Sequence, residues 1–204
     1  SVMSKENKER DVKVAIVDSG IDGSHPNVGK ISGGVRICIE IGDEGFYSDD
    51  YADYVGHGTA CAGIIRKKAS DVLLYGVRIF DASLMADGRV LVAAVQWCID
   101  NEMDVVNLSL GTTDVTFKNA LHDICRKAHD AGVILVAAES NDGRESYPAV
   151  FDEVIGVTGD AIYESDGFYY RAGQTVECVA RGDEQRVCWL GGENRMVGGT
   201  SFAA

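Results

Sequence analysis

Hydrophobic residues follow two patterns that alternate along this chain. Short, mostly apolar runs predict strands at residues 12–18, 35–41, 73–80, 104–110, 133–138 and 154–158. Segments with apolar residues every three to four positions predict helices at residues 57–68, 90–103 and 116–131. Several of the strands are apolar nearly throughout, and strands alternate with helices. This order predicts an α/β fold with a mainly parallel sheet and helices on both faces.

Beyond residue 159 the pattern is weaker. Three short pieces, at residues 167–172, 175–180 and 186–190, resemble antiparallel strands. No repeat, low-complexity segment or internal boundary interrupts the sequence. We therefore expect one domain over residues 12–204, preceded by a charged arm at residues 1–11.

Composition narrows the classes of partner. The 204 residues include 32 Asp and Glu against 19 Lys and Arg, a net charge of −13. Because nucleic acids and anionic membranes attract basic surfaces, neither is a predicted partner. The N-terminus lacks the apolar stretch of a secretory signal. Six cysteines occur without CxxC or metal-ligand spacing, which predicts free thiols. We expect no metal and no cofactor. Together these features predict a cytoplasmic protein.

Four chemically suggestive residues lie at the boundaries of predicted elements. Asp18 ends the first strand, His57 begins a helix, Asn141 follows the strand at 133–138, and Ser201 follows two glycines. Each residue alone is ordinary, because such positions also hold caps, turns and structural histidines. In a parallel sheet, however, active sites lie at the carboxyl ends of the strands. The order Asp, His, Asn, Ser at such boundaries therefore indicates catalysis.

The motifs around these residues resemble those of the subtilisin-like serine proteases. The resemblance rests on Asp-Ser-Gly-Ile-Asp-Gly-Ser-His-Pro from Asp18, His-Gly-Thr-Ala-Cys-Ala-Gly from His57, Val-Val-Asn-Leu-Ser-Leu-Gly ending at Gly111, and the terminal Gly-Thr-Ser-Phe-Ala-Ala. It covers residues 12–204 and implies a three-layer fold. Cys61, in the His motif, resembles the proteinase-K-like branch, in which a thiol lies beneath the catalytic histidine.

The resemblance assigns a role to each of the four residues. Ser201 attacks the peptide carbonyl, and His57 accepts and returns the proton. Asp18 orients the imidazole and stabilises its protonated form. Asn141 and the main-chain N–H of Ser201 donate to the oxyanion.

The implied function is a serine endopeptidase that acts through an acyl-enzyme, in intracellular processing or turnover of proteins or precursor peptides. One alternative is a non-catalytic peptide-binding relative or an inactive fragment of a protease. A nucleotide-binding domain is a second alternative, but neither G-x-G-x-x-G nor G-x-x-x-x-G-K-[ST] occurs.

The resemblance also implies a cleft for an extended polypeptide, held by main-chain pairing on two sides. Glu139 replaces a small residue of the family, and with Asp142 it suggests a pocket for a basic side chain. The alternative is that Glu139 faces solvent. The predicted substrate-binding residues are Ser109, Leu110, Gly111, Leu84, Met85, Ala86, Ala138, Glu139 and Ser140.

Two departures from the family pattern affect the expectations. The family continues past the serine with a buried helix, whereas this sequence ends at Ala204, so we expect a missing C-terminal segment, or another chain, as a partner. The helix after His57 runs into the next strand without the calcium loop of many secreted members. The scattered carboxylates Asp43, Glu44, Asp49, Asp50 and Asp53 lack a calcium-loop pattern, and we expect them in a solvated loop.

Overall fold

The computed structural model describes residues 10–39, 45–81, 87–162, 164 and 166–204. The strands are β1 Lys13–Asp18, β2 Gly33–Ile39, β3 Gly45–Ser48, β4 Leu73–Arg78, β5 Val105–Leu108, β6 Ile134–Ala138, β7 Val154–Asp160, β8 Phe168–Tyr170, β9 Cys178–Arg181, β10 Gln185–Cys188 and β11 Asn194–Val197. The helices are α1 His57–Lys68, α2 Gly88–Asp100 and α3 Lys118–Asp130, with 3₁₀ turns at Val115–Phe117, Leu190–Gly192 and Thr200–Phe202.

Nine strands form one sheet in the order β3-β2-β4-β1-β5-β6-β7-β9-β8. The seven inner strands run parallel, and an antiparallel strand lies at each edge. Parallel neighbours bring the carboxyl ends of β1, β5 and β6 to one edge of the sheet. Asp18, at the end of β1, lies at that edge, and Asn141 follows the end of β6.

The alternating side chains of β1 separate two hydrophobic cores. Ala15 and Val17 face the core that contains α2 and α3. Val14 and Ile16 face the other core, which contains α1 and the hairpin β10–β11. Since successive side chains of a strand point to opposite faces, helices cover both faces of the sheet. The predicted three-layer α/β fold is therefore confirmed. None of the helices in the described ranges is long and apolar enough to cross a membrane.

The strands and helices predicted before residue 159 are present, with small differences at their ends. β4 stops at Arg78 rather than at Phe80: the N–H of Ile79 makes the last bond to β1, at the carbonyl of Asp18, and the N–H of Phe80 shares that same carbonyl at 3.3 Å. The helix predicted from residue 116 begins as a 3₁₀ turn, whose first free N–H, on Thr116, donates to the side chain of Asp114. Residues 40–41 of the second predicted strand lie outside the described residues.

The C-terminal predictions were partly wrong. β9 pairs antiparallel with β8, as expected, but it also extends the main sheet by pairing parallel with β7. The strands β3 and β11 were not predicted at all. Each has four residues that are mostly exposed, so neither carries the apolar run that indicates a strand.

Candidate active site

The centre of the site is a buried carboxylate–imidazole pair. Asp18 ends β1 and is fully buried, and His57 begins α1. Nδ1 of His57 lies 2.9 Å from Oδ1 and 2.8 Å from Oδ2 of Asp18. A carboxylate only accepts, so this contact fixes the proton on Nδ1 and leaves Nε2 as the basic nitrogen. The predicted pairing of Asp18 with His57 agrees with this geometry.

The environment favours the protonated imidazole. Burial is the largest single influence on the pKa of His57, and it lowers it. The hydrogen bond and the negative charge of Asp18, with a further contribution from the charge of Asp53, outweigh burial and raise the pKa of His57 above 6.5. This is the electrostatic setting of a general base that must become positive during a reaction.

Two glycines allow α1 to begin this close to β1. Gly56, before the helix, has a φ of 106°, in the left-handed region that other residues rarely adopt. A Cβ on Gly58 would lie 2.1 Å from the carbonyl oxygen of Gly20, which no side chain permits. The backbone angle at residue 56 and the close contact at residue 58 therefore both favour glycine on either side of His57. The two glycines allow His57 to lie within hydrogen-bonding distance of Asp18.

Ser201 lies beside this pair, but its hydroxyl faces another residue. It occupies the 3₁₀ turn Thr200–Phe202, whose Phe202 ring lies 5.2 Å from the His57 ring. Ser201 Oγ donates to the main-chain oxygen of Ser109 at 2.9 Å, and Ser109 Oγ lies 2.9 Å from the main-chain oxygen of Ser201. Among the described residues, Ser201 Oγ has no hydrogen bond to His57. The hydroxyl must leave the Ser109 oxygen before the two can exchange a proton.

Asn141 is anchored to the segment that carries Ser201. Its Oδ1 lies 3.0 Å from the N–H of Thr200 and 3.0 Å from Thr200 Oγ1. With the carbonyl end of the amide held by Thr200, the NH₂ group is left to donate elsewhere. This arrangement suits the predicted oxyanion donor.

Cys61 lies next to the pair. Its Sγ is 3.9 Å from Asp18 Oδ2, 3.3 Å from Ser109 Oγ and 3.9 Å from the main-chain oxygen of Ser201. Burial, and then the charge of Asp18, raise the pKa of Cys61 well above 9.0. The thiol therefore stays protonated and is not a nucleophile.

One group of side chains in the described ranges has the proximity of metal ligands. Ligand atoms of Asp18, His57 and Cys61 lie within 4.8 Å of one another. The Asp18 carboxylate and the imidazole of His57 already satisfy each other, and the thiol carries its proton. We therefore assign no metal to this group.

Most predicted substrate-binding residues line a cavity of about 170 Å³ next to Ser201. Leu84, Met85 and Ala86 lie outside the described residues. The predicted residues that do line the cavity are Ser109, Leu110, Gly111, Ala138, Glu139 and Ser140, together with Asn141. A second hollow of about 450 Å³ shares Ser109–Gly111 and includes His57. The two hollows together form a groove past the candidate nucleophile.

Two carboxylates near the cavity, those of Asp142 and Glu139, differ in whether another side chain already pairs with them. Asp142 accepts from Ser140 Oγ at 2.6 Å and from Arg144 Nε at 2.6 Å, and these bonds lower its pKa to about 2. Arg144 therefore offsets the charge of Asp142. Glu139 is half-buried, and its main chain is fixed by Val157 and by Thr200. The preference for a basic side chain thus depends on Glu139 and stays a prediction.

The expectation that Asp53 lies in a solvated loop was wrong. Its carboxylate is 7% exposed and accepts five hydrogen bonds. The sequence feature that could have indicated this role is the position of Asp53 three residues before Gly56, from which a carboxylate can reach the free N–H groups of a helix start. Asp50, from the same group, is half-exposed and pairs with Arg78 at 3.0 Å. Asp43 and Glu44 lie outside the described residues.

Comparisons with known proteins agree with this geometry. The model of the subtilase family matches residues 9–204. The minor extracellular protease Epr of Bacillus subtilis (strain 168) is 34% identical over 206 residues, which cover 95% of this chain and 30% of that protein. Subtilisin of Bacillus pumilus is 30% identical over 94% of this chain and 72% of its own length.

A solved structure, that of a cold adapted subtilisin-like serine proteinase, superposes with a TM-score of 0.74 at 26% identity. The superposition covers 94% of this chain and 70% of that one. The chain thus spans between about a third and three quarters of the lengths of these proteins.

Proposed function

The chain belongs to the subtilase family, and from this premise we propose that it is a serine endopeptidase that cleaves peptide bonds through an acyl-enzyme. The observation that carries the proposal is the Asp18–His57 pair, joined at 2.8 and 2.9 Å, with Ser201 on the adjacent turn. The Asp18–His57 contact leaves Nε2 of His57 as the base, and Ser201 lines the same groove as His57.

The first half of the reaction forms the acyl-enzyme. Ser201 turns from Ser109 towards His57, and its Oγ attacks the scissile carbonyl carbon while its proton passes to Nε2 of His57. Asp18 holds the Nδ1 proton and stabilises the imidazolium. The oxyanion accepts from the NH₂ group of Asn141 and the N–H of Ser201. His57 then gives its proton to the departing amine as the C–N bond breaks.

The second half releases the other product. A water molecule attacks the acyl carbon while His57 accepts its proton, and the C–O bond to Ser201 breaks. His57 returns that proton to Ser201 Oγ, so that the enzyme ends in its starting form.

Substrate binding itself supplies a way to turn the serine. The Ser109 oxygen, which accepts from Ser201 Oγ, belongs to the segment that pairs with an extended peptide. An N–H of the substrate that binds this oxygen competes with the Ser201 hydroxyl. The hydroxyl is then free to bond to His57.

The proposal includes a location and a class of substrate. We propose that the protein acts inside the cell, on proteins or precursor peptides in extended form. All six cysteines are free thiols, which suits a reducing compartment. Epr carries the word extracellular in its name, so cell fractionation with a specific antibody is the test of location. Recovery of the protein from the medium rather than the cytoplasm would contradict it.

A second candidate function is a peptide-binding protein without catalysis. It is favoured by one observation, the bond of Ser201 Oγ to Ser109 in place of His57. Such a protein would bind extended peptides in the same groove and release them unchanged.

Intact mass spectrometry after treatment with a fluorophosphonate separates the two functions. The reagent phosphonylates only a serine that a base activates, so we expect one adduct per chain. Ser201→Ala and His57→Ala should each abolish it, and Ser109→Ala should not. Peptide binding without any adduct would overturn the protease and establish the binding protein.

A further inference from the structure

Asp53 has a dense set of contacts that the proposed mechanism does not use. Its Oδ1 accepts from Ser19 Oγ at 2.9 Å, from the N–H of Val55 at 2.8 Å and from the N–H of Gly56 at 2.9 Å. Its Oδ2 accepts from the N–H and the hydroxyl of Thr59, at 2.9 and 2.6 Å. Five donors around two oxygens suit an ionised carboxylate, which only accepts.

These contacts connect the two elements that carry the acid–base pair. Ser19 follows Asp18 at the end of β1, and its N–H donates to Asp18 Oδ1 at 2.7 Å. The Ser19 hydroxyl donates to Asp53 and accepts from the N–H of Gly58, the residue after His57, at 3.0 Å. Asp53 therefore holds the strand end through Ser19 and the helix start directly.

The helix start depends on this carboxylate. The residue before α1 is Gly56, which has no side chain to cap the helix, and the first turn contains no acidic residue. The free N–H groups of a helix start carry a partial positive charge and need acceptors. Asp53 and Ser19 supply acceptors for Thr59 and Gly58.

We propose that Asp53 is a positioning residue for the proposed hydrolysis, one that fixes the approach of His57 to Asp18 and adds a second negative charge near the imidazole. The inference rests on the proposed function only for its effect on rate. Among the described residues, the titratable groups that face His57 are Asp18 from β1, Asp53 from the loop before α1 and Cys61 from α1 itself. Burial has the largest influence on the pKa of His57 and lowers it. The hydrogen bond and the charge of Asp18 raise this pKa, and the charge of Asp53 raises it further.

Asp53→Asn is the direct test, because it preserves shape and removes the charge. An amide has one acceptor oxygen, so its NH₂ group would face either the N–H of Thr59 or the N–H groups of Val55 and Gly56. We expect kcat on a peptide substrate to fall by roughly 100-fold, the usual cost of a small misplacement of catalytic groups. KM should change little, because Asp53 does not line the groove.

The pH profile distinguishes positioning from a general loss of stability. With one negative charge removed, the pKa of His57 falls, and the acidic limb of kcat/KM moves to lower pH. The same shift is measured without catalysis by NMR titration of His57 in a Ser201→Ala background. If the wild-type chain hydrolyses no peptide, the proposed function fails, but this titration still decides whether Asp53 acts on the pair.

Two further variants complete the test. Asp130→Asn removes a charge at the exposed end of α3 and should leave both kcat and the titration of His57 unchanged. Ser19→Ala removes the bridge but keeps the charge of Asp53, so it should lower kcat less than Asp53→Asn does. If Asp53→Asn does not fold, Ser19→Ala carries the test. Wild-type kcat in folded Asp53→Asn with an unchanged midpoint for His57 would overturn the proposal, and if Asp53→Asn does not fold, wild-type kcat in Ser19→Ala would overturn it.

Discussion

The two halves of the candidate site are organised to different degrees. Asp18 and His57 are held by buried hydrogen bonds that extend through Ser19 to Asp53. Ser201 is half-buried on a three-residue turn, and its hydroxyl bonds to Ser109. The Asp18–His57 half is therefore aligned before any substrate binds, whereas the proposed nucleophile must still turn. Only variants that affect one half at a time can show whether this difference matters for function.

Asp18→Asn should have the largest effect, because it damages the aligned half. An amide in place of the carboxylate favours the wrong tautomer of His57 and no longer stabilises the imidazolium. We expect kcat to fall by about 10⁴-fold with little change in KM. The measurement is steady-state hydrolysis of a peptide substrate, with the exposed Asp71→Asn as the control. A loss of less than about tenfold would show that Asp18 does not orient the base.

Asn141 allows the other half to be divided into anchor and donor. Asn141→Asp keeps the oxygen that accepts from Thr200 but removes the NH₂ group, and Asn141→Ala removes both. We expect each variant to lower kcat by roughly 10²–10³-fold, the usual cost of one oxyanion donor. Retained activity in Asn141→Asp alone would mean that Asn141 only anchors the turn of Ser201.

The same contrast explains what could be predicted from the sequence. Asp18 and His57 were found because each lies at the end of an element with a clear hydrophobic pattern. The bonds of Asp53 to Ser19 and of Ser201 to Ser109 join residues 34 and 92 positions apart, so no local pattern contains them. The orientation of the Ser201 hydroxyl is a choice of rotamer, which packing decides and composition does not.

The C-terminal third was predicted less well for a similar reason. The strands β8 to β11 have three or four residues each, too few to display a period of two or a long apolar run. The parallel pairing of β9 with β7 depends on the sheet that already exists, not on its own four residues.

Glu139→Gln sharpens the description of the cavity beside the nucleophile. With the charge of Asp142 offset by Arg144, a preference for Lys or Arg before the scissile bond should depend on Glu139. We expect kcat/KM for a basic residue relative to an apolar one to fall by about tenfold, as for loss of one charge-assisted bond. Equal ratios in Glu139→Gln and wild type would place the carboxylate in solvent.

The smallest expected effect concerns stability, and it isolates the aligned half from catalysis altogether. Burial lowers the pKa of His57 in the folded state, but Asp18 and Asp53 outweigh it and raise this pKa. The folded chain therefore binds a proton at His57 more tightly than the unfolded chain does. The stabilisation by this proton is complete below pH 6.5, the ordinary value for the unfolded chain, and is lost as the pH rises through the raised value. Urea unfolding of the wild type and of His57→Gln should therefore give free energies of unfolding that converge over this window. The same measurement with Ser201→Ala should show the pH dependence of the wild type, since the hydroxyl bonds to Ser109 and not to the imidazole. If instead Ser201→Ala changed the pH dependence as His57→Gln does, the two halves would be coupled before substrate binds, and the contrast between them would be wrong.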